Sequence, residues 1–444
     1  MKAFAKSLTI VVVISFLVAC AAPTAAPAPT AVPPAPTTAP VATAVPAATA
    51  KPTEAPKPTD VPKPTDVPKP TAVPTVAMDP DVDKWLKAAE LGPYAPAKQD
   101  WGAIEAAAKK EGKVVVYANS SKVADIKPLF EKKYPGITVE APDIGGDEVL
   151  LKTREEQKAK NFYGDVYYSS SSAGDVIGEL LPKQYLWNFV PAELIPVTDE
   201  SARNPLLVVK QGVKVMGYNS ELNKSCPLAN IWDLTDAAWK GKMFIEDPLN
   251  DASQMGYLVT IASHPKELAA AYKDKFGKDP VLDADTPDAG WLWLKMFAKN
   301  KPVPQPGGDE LMASFAALKM KDSYIGINAG YSKYADVQKG KLAFEPCMGM
   351  KPVLGLMGAT YMAVINRATH PNAAKLFINY VSNVPEGFAP WNTMGSYSPR
   401  SDWAAAKGAV PYKEMKAMLW GVDEAAVYKT ITKIRDFYAL NLLK

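Results

Sequence analysis

The stretch KVVVYANSS, residues 113–121, decides the fold. Its run of valines predicts a buried strand, and a polar turn follows directly. The next segment places Val123, Ile126, Phe130 and Tyr134 at helical spacing, so we expect an amphipathic helix there. The sequence therefore begins its folded part as strand, turn and helix.

Two further strands extend this pattern. Residues 137–140 read as the second strand, residues 148–160 as a charged helix, and residues 165–168 as a third strand that runs into the serines 169–172. Strands that alternate with helices in this way predict a parallel sheet covered by helices, which is an α/β fold.

Several short motifs, in order along the chain, resemble type II periplasmic-binding-protein domains. They are Lys109–Tyr117, Lys133–Val139, Glu156 with Asp165 and Val166, Gly217–Asn219, Asp233 and Leu234, Trp239–Lys242, Asp247 and Pro248, His370–Ile378, and Tyr397–Arg400. The resemblance covers about residues 101–444. It is closest to the ferric-iron-type extracellular solute-binding proteins, which serve bacterial ABC importers.

This resemblance implies two α/β lobes, each a mixed sheet flanked by helices, joined by a two-strand hinge. Lobe one would hold about residues 97–208 and 356–444, and lobe two about residues 216–346. The crossing segments would lie near Val209–Tyr218 and Cys347–Leu356. An apolar, β-rich run interrupted by Gln211 and Gly212 fits such a bend.

Residues 1–20 predict a lipoprotein signal peptide. Lys2 and Lys6 precede an apolar run, Leu8–Ala19, that is of signal-peptide length, and Cys20 follows Ala19. This ending resembles the bacterial lipobox, so Cys20 is the expected lipidation site. The alternative is an ordinary signal peptide with an accidental cysteine.

Residues 21–80 read as a disordered tether between the anchor and the solute-binding region, residues 81–444. Residues 21–77 hold 16 prolines and no aromatic residue, so this stretch cannot build a core. A hexad, KPTDVP, starts at Lys57 and repeats at Lys63. The threonines of this stretch are candidate sites for O-glycosylation.

Composition argues against several classes of protein. A net charge of +3 over 444 residues is not the basic footprint of a nucleic-acid binder. The chain has two histidines and lacks a nucleophile elbow, a phosphate loop and the HExxH zinc motif. We therefore predict that it is not an enzyme and needs no cofactor.

Candidate ligand-binding residues follow three predicted strands, where ligands of open α/β sheets bind and helix N-termini attract anions. They are Asn119, Ser120 and Ser121; Ser170, Ser171 and Ser172; and Asp251, Ser253 and Gln254. For any single turn helix capping alone is the favoured explanation, since these residue types are preferred N-caps.

A fourth candidate contains Tyr331 and Tyr334. Iron-binding relatives carry two adjacent tyrosines about here, and often a histidine where this chain has Ser120 and Ser121. The altered set predicts no metal site and favours an organic anion with a carboxylate or phosphate. Both tyrosines could equally be packing residues.

The resemblance implies the substrate-binding component of an ABC importer, a monomer that delivers a small solute to a membrane permease and its ATPase. We expect it lipid-anchored on the extracytoplasmic side of the cell membrane. In an oxidising compartment Cys226 and Cys347 could pair, or remain free thiols. Ferric-iron binding and a ligand sensor for a membrane kinase are the alternatives.

Overall fold

The computed structural model describes residues 78–142, 144–170 and 173–444. Within these residues the helices are α1 Pro80–Ala89, α2 Trp101–Glu111, α3 Val123–Lys133, α4 Gly146–Lys158, α5 Ala252–Ala262, α6 Pro265–Phe276, α7 Ala289–Lys299, α8 Gly308–Ala316, α9 Tyr334–Gln338, α10 Pro371–Asn383, α11 Pro385–Phe388, α12 Tyr412–Ala417 and α13 Glu424–Leu442. None of these helices has the length and apolar character needed to cross a membrane.

Strands alternate with the helices along the chain. They are β1 Lys113–Ala118, β2 Thr138–Glu140, β3 Val166–Ser170, β4 Leu186–Trp187, β5 Leu207–Asn219, β6 Met243–Glu246, β7 Val303–Gln305, β8 Ile325–Gly330, β9 Phe344–Pro346, β10 Gly355–Ile365, β11 Ser396–Tyr397 and β12 Leu419–Gly421. The βαβαβ order predicted for the start of the folded part is present.

The sheet has two parallel ends joined by antiparallel crossing strands. Its main order is β2-β1-β3-β10-β5-β8-β6-β7. Strands β2, β1 and β3 run parallel, and so do β8, β6 and β7. The long strands β5 and β10 pair antiparallel between the two groups. This is the predicted α/β architecture, with β5 and β10 as the crossing strands. β5 coincides with the first predicted crossing segment, Val209–Tyr218, whereas β10 starts only at Gly355, near the end of the second, Cys347–Leu356.

Strand β1 is apolar at every position after Lys113, and its packing shows why. Val114 and Val116 belong to one hydrophobic cluster, while Val115 and Tyr117 belong to a second cluster with Leu180. Successive side chains of a strand point to opposite faces, so a strand covered on both faces needs apolar residues throughout.

The C-terminal helix departs from the predicted lobe boundaries. Val427, Ile431, Ile434 and Tyr438 of α13 are buried in the same cluster as Trp293 of α7. The prediction assigned all of residues 356–444 to lobe one, but α13 packs on lobe two. Its own apolar face determines this placement, because that face needs the large aromatic and aliphatic surface that α5 and α7 provide.

Helix α1 adds an N-terminal element ahead of the region that resembles the solute-binding proteins. Trp85 Nε1 donates to the Ala368 carbonyl at 3.0 Å, and the buried Lys375 Nζ donates to the Ala89 carbonyl at 3.0 Å. The helix begins at Pro80, where the tether was predicted to end. It therefore packs on lobe one.

Cys226 and Cys347 form a disulfide, with their Cα atoms 5.1 Å apart. This is the pairing considered from the sequence, and the separation is within the range that a disulfide allows. The bond closes a loop of 121 residues that contains most of lobe two.

Candidate ligand-binding cleft

A cavity of about 380 Å³ lies over the crossing strands. Its floor is set by strand register, since residues directly opposite each other on antiparallel strands share a face. Three rows result, and all of their residues line the cavity: Thr360 and Lys210; Gly358, Gly212 and Ser396; Leu356, Lys214 and Gly330. We call these eight residues the floor.

Three lysines converge on this cavity. Lys210 and Lys214 rise from the floor, and Lys122 reaches it from the turn after β1. Burial, together with the charges of Lys122 and Lys214, lowers the pKa of Lys210 to about 8. Burial also lowers the pKa of Lys122. The positive charges in the cavity therefore repel one another, which is a favourable setting for an anion.

Few carboxylates balance these lysines. Lys214 Nζ lies 3.9 Å from Glu246, while among residues 78–142, 144–170 and 173–444 neither Lys122 nor Lys210 has a carboxylate within ion-pair distance. Glu424 also lines the cavity, and its Oε1 accepts from the Tyr361 hydroxyl at 2.8 Å. The cavity as a whole is cationic.

The wall from lobe one combines hydrogen-bonding groups with aromatic rings. Asn119 Nδ2 donates to Ser170 Oγ at 3.3 Å, and Trp391 Nε1 donates to Ser120 Oγ at 3.0 Å. The Trp391 ring lies 5.4 Å from that of Tyr168. The structure thus brings together Asn119, Ser120 and Ser170, three of the residues predicted from the strand ends.

Three hydroxyl groups at the cavity have unused hydrogen-bonding capacity. Tyr168 Oη, Thr393 Oγ1 and Ser396 Oγ are buried without a hydrogen-bond partner in the described part of the chain. Buried polar groups usually have partners, so such groups call for an explanation. Burial raises the pKa of Tyr168, so its phenol keeps its proton. All three residues line the cavity, but these oxygens have almost no accessible surface, so each would have to reorient to donate to an anionic solute.

The turn before α5 acts mainly as a helix cap. Asp251 Oδ1 accepts from the backbone amides of Ser253 and Gln254, at 2.7 and 3.0 Å, and from Ser253 Oγ at 2.6 Å. These amides are therefore committed within the protein. Ser253 lines the cavity, but Asp251 does not.

Gln254 is buried behind the cavity wall. Its Oε1 accepts from Asn328 Nδ2 at 2.7 Å, and Asn328 itself lines the cavity. Gln254 therefore positions a lining residue in this structure and does not face the cavity. Asn328 has φ of 54°, a left-handed conformation that asparagine tolerates better than most residues.

Tyr331 and Tyr334 lie outside the cavity lining. Their rings pack against each other, with centroids 5.6 Å apart, and against Phe344. The Tyr334 hydroxyl donates to Glu345 at 2.8 Å, and this bond with burial raises the pKa of Tyr334 to about 12. In this structure both are packing residues, and the described residues contain no group of three His, Cys, Asp or Glu side chains able to hold a metal.

The remaining predicted residues divide into two groups. Ser121 is exposed and does not line the cavity. Ser171, Ser172 and Cys20 lie outside the described residues.

The three lysines were missed from the sequence, although Lys210 and Lys214 gave a signal. They interrupt a mostly apolar crossing strand, with Gly212 midway between them. Because side chains alternate between the two faces of a strand, Lys210, Gly212 and Lys214 lie on the same face.

No family model and no curated protein sequence matches this chain. Solved structures do match. Iron-bound HitA from Pseudomonas aeruginosa is 16% identical over 74% of this chain and 99% of its own, with a TM-score of 0.55. AfuA from Actinobacillus pleuropneumoniae, with fructose-6-phosphate bound, is 17% identical over 75% and 99%, with a TM-score of 0.55.

A Trichodesmium protein in complex with iron and citrate is 16% identical over 75% of this chain and 100% of its own, with a TM-score of 0.52. The substrate-binding protein of an ABC transporter from Agrobacterium tumefaciens is a further similar structure. At these identities the likeness concerns the fold. This chain therefore has the two-lobed fold of the type II periplasmic binding proteins, as its resemblance to the ferric-iron type implied.

Proposed function

We propose that this protein is the solute-binding component of an ABC importer and that its solute is an organic anion bearing a carboxylate or phosphate. The observation that carries the proposal is the convergence of Lys122, Lys210 and Lys214 on one cavity between the lobes. Unpartnered hydroxyls on Tyr168, Thr393 and Ser396 supply further donors. Ferric-iron binding through Tyr331 and Tyr334 has less support, because neither lines this cavity.

The ligands of similar structures fit this choice. AfuA was solved with fructose-6-phosphate, and the Trichodesmium protein with iron and citrate. Both organic ligands are anions. In this chain the lysines would bind the charged group, and Trp391 and Tyr168, which are buried in the cavity lining, would pack beside the rest of the solute.

We expect anions to bind and stabilise the full-length, detergent-extracted protein, whereas neutral sugars and polyamines should not. A ligand at a hundred times its Kd adds about 2.7 kcal/mol to the free energy of unfolding. Thermal melting and tryptophan fluorescence with phosphate monoesters, dicarboxylates and tricarboxylates would measure this. Stabilisation by polyamines or neutral sugars alone would contradict the proposal.

We further propose that Cys20 carries the lipid anchor. Cys20→Ser should then move the protein from the membrane fraction to the soluble fraction, because the anchored form depends on that thiol. Thr24→Ser, a change in the tether that retains the cysteine, is the matched control. A Cys20→Ser protein that remains with salt-washed membranes would rule out the anchor.

A further inference from the structure

Two glycines lie side by side at the centre of the floor. Gly212 of β5 pairs with Gly358 of β10, and Ser396 of β11 completes their row. Lys210 and Lys214 lie two residues away on either side of Gly212 and share its face. The middle of the floor is therefore bare peptide backbone, bordered by ammonium groups.

Neither glycine is required by the backbone or by packing. A Cβ atom at Gly358 would meet no heavy atom within 4 Å, and one at Gly212 would meet only Lys210 Nζ, at 3.9 Å. Neither has a positive φ. Gly355 in the same strand is different, since a Cβ there would lie 2.1 Å from the Lys214 carbonyl oxygen. Gly212 and Gly358 thus leave space that the fold itself does not need.

Three lysine ammonium groups act on that space, and the nearby carboxylates include those of Glu246 and Glu424. The Lys210 ammonium lies over Gly212, and Lys122 and Lys214 are close enough to act on it electrostatically. A group with one negative charge would leave most of this repulsion in place. A group with two negative charges would balance more of it at the same position.

We propose that the solute carries a dianionic group, either a phosphate monoester or a pair of carboxylates, that sits directly on Gly212 and Gly358. These two glycines then set the size of the group that the cleft admits. The proposal rests on the function proposed above, that of an organic-anion receptor. It assigns the charged end of the solute to the floor and the remainder to the walls.

The first test compares solutes that differ by one charge. A hexose 6-phosphate is paired with its 6-sulfate, and a dicarboxylate is paired with its monomethyl ester, all at pH 7.5 with the full-length protein. In whichever pair binds the protein, we expect the dianion to bind at least tenfold more tightly than the monoanion. Equal affinity within that pair, or a tighter monoanion, would overturn the proposal.

The second test fills the floor. Gly358→Ala and Gly212→Ala should each weaken the best solute of that panel about tenfold or more, while the melting temperature of the free protein stays unchanged or rises. Gly421→Ala is the control, because Gly421 is an exposed strand glycine outside the cavity with nothing within 4 Å of its Cβ position.

The outcomes separate this proposal from the proposed function. If no anion binds the wild-type protein, the function itself is wrong. If anions bind but both alanine variants keep wild-type affinity, the function stands and the glycine floor is not the anion site.

Discussion

Replacing Lys210 with glutamine should weaken anion binding about a hundredfold. Truncating one partner of a buried, hydrogen-bonded charge pair costs about 2–5 kcal/mol, and each 1.4 kcal/mol is a factor of ten in Kd. Lys210 rises from the floor beside Gly212 and has no carboxylate partner in the described part of the chain. Glutamine is one atom shorter than lysine but keeps a donor, so most of the loss reports the charge. Titration calorimetry with the best-binding anion would measure it.

The same substitution should not destabilise the free protein, and we expect its melting temperature to rise slightly. Removing an unpartnered, partly buried charge relieves desolvation and repulsion from Lys122 and Lys214. Lys132→Gln, at an exposed site on α3, is the control and should change neither quantity. A Lys210→Gln protein that melts lower and binds as before would show that Lys210 is structural.

The affinity for an anion should fall as pH rises through about 8. Lys210 in the free protein has a pKa of about 8, and a bound anion would raise that pKa. Below this pH the lysine is charged in both states and affinity is full. Above it the free protein must take up a proton to bind, so affinity drops by up to tenfold per pH unit. Calorimetry between pH 6.5 and 9.5 would record the decline.

Other titratable groups at the cavity are Lys122, Lys214, Glu424, Tyr168 and Tyr257. Lys122, whose pKa is also lowered, adds to the same trend. Lys210→Gln should therefore flatten most of the pH profile. If affinity falls as steeply with pH in the Lys210→Gln protein as in the wild type, then the proton taken up on binding belongs to a group other than Lys210. The anion chosen must hold a constant charge above pH 7, as a phosphate monoester nearly does.

The elements of lobe one were predictable because each is encoded locally. The run of valines predicted β1, and the helical spacing of Val123, Ile126 and Phe130 predicted α3. The charged segment 148–160 predicted α4. Patterns of period two and 3.6 contain this information within a few residues. The placement of α13 was not local, because its partners in α5 and α7 lie more than a hundred residues earlier.

The site was predictable only in part for a similar reason. Asn119, Ser120 and Ser170 were found because they follow strands, and strand ends meet at one edge of a parallel sheet. The floor depends on Gly212 facing Gly358 and Ser396, which is a register between distant strands. Polar residues in a turn can either bind a ligand or cap the following helix. Only the contacts of Asp251 in the structure show that the turn before α5 caps its own helix.

The floor of the cleft and the hinge are the same piece of sheet. Strand β11 borders β5 on one side, and β12 borders β10 on the other, so the crossing is four strands wide at this level. If the lobes rotate about this ribbon, the floor lies close to the axis and its residues change their mutual spacing less than residues of the two walls do. A solute would then meet the floor first and gain the wall contacts as the lobes close.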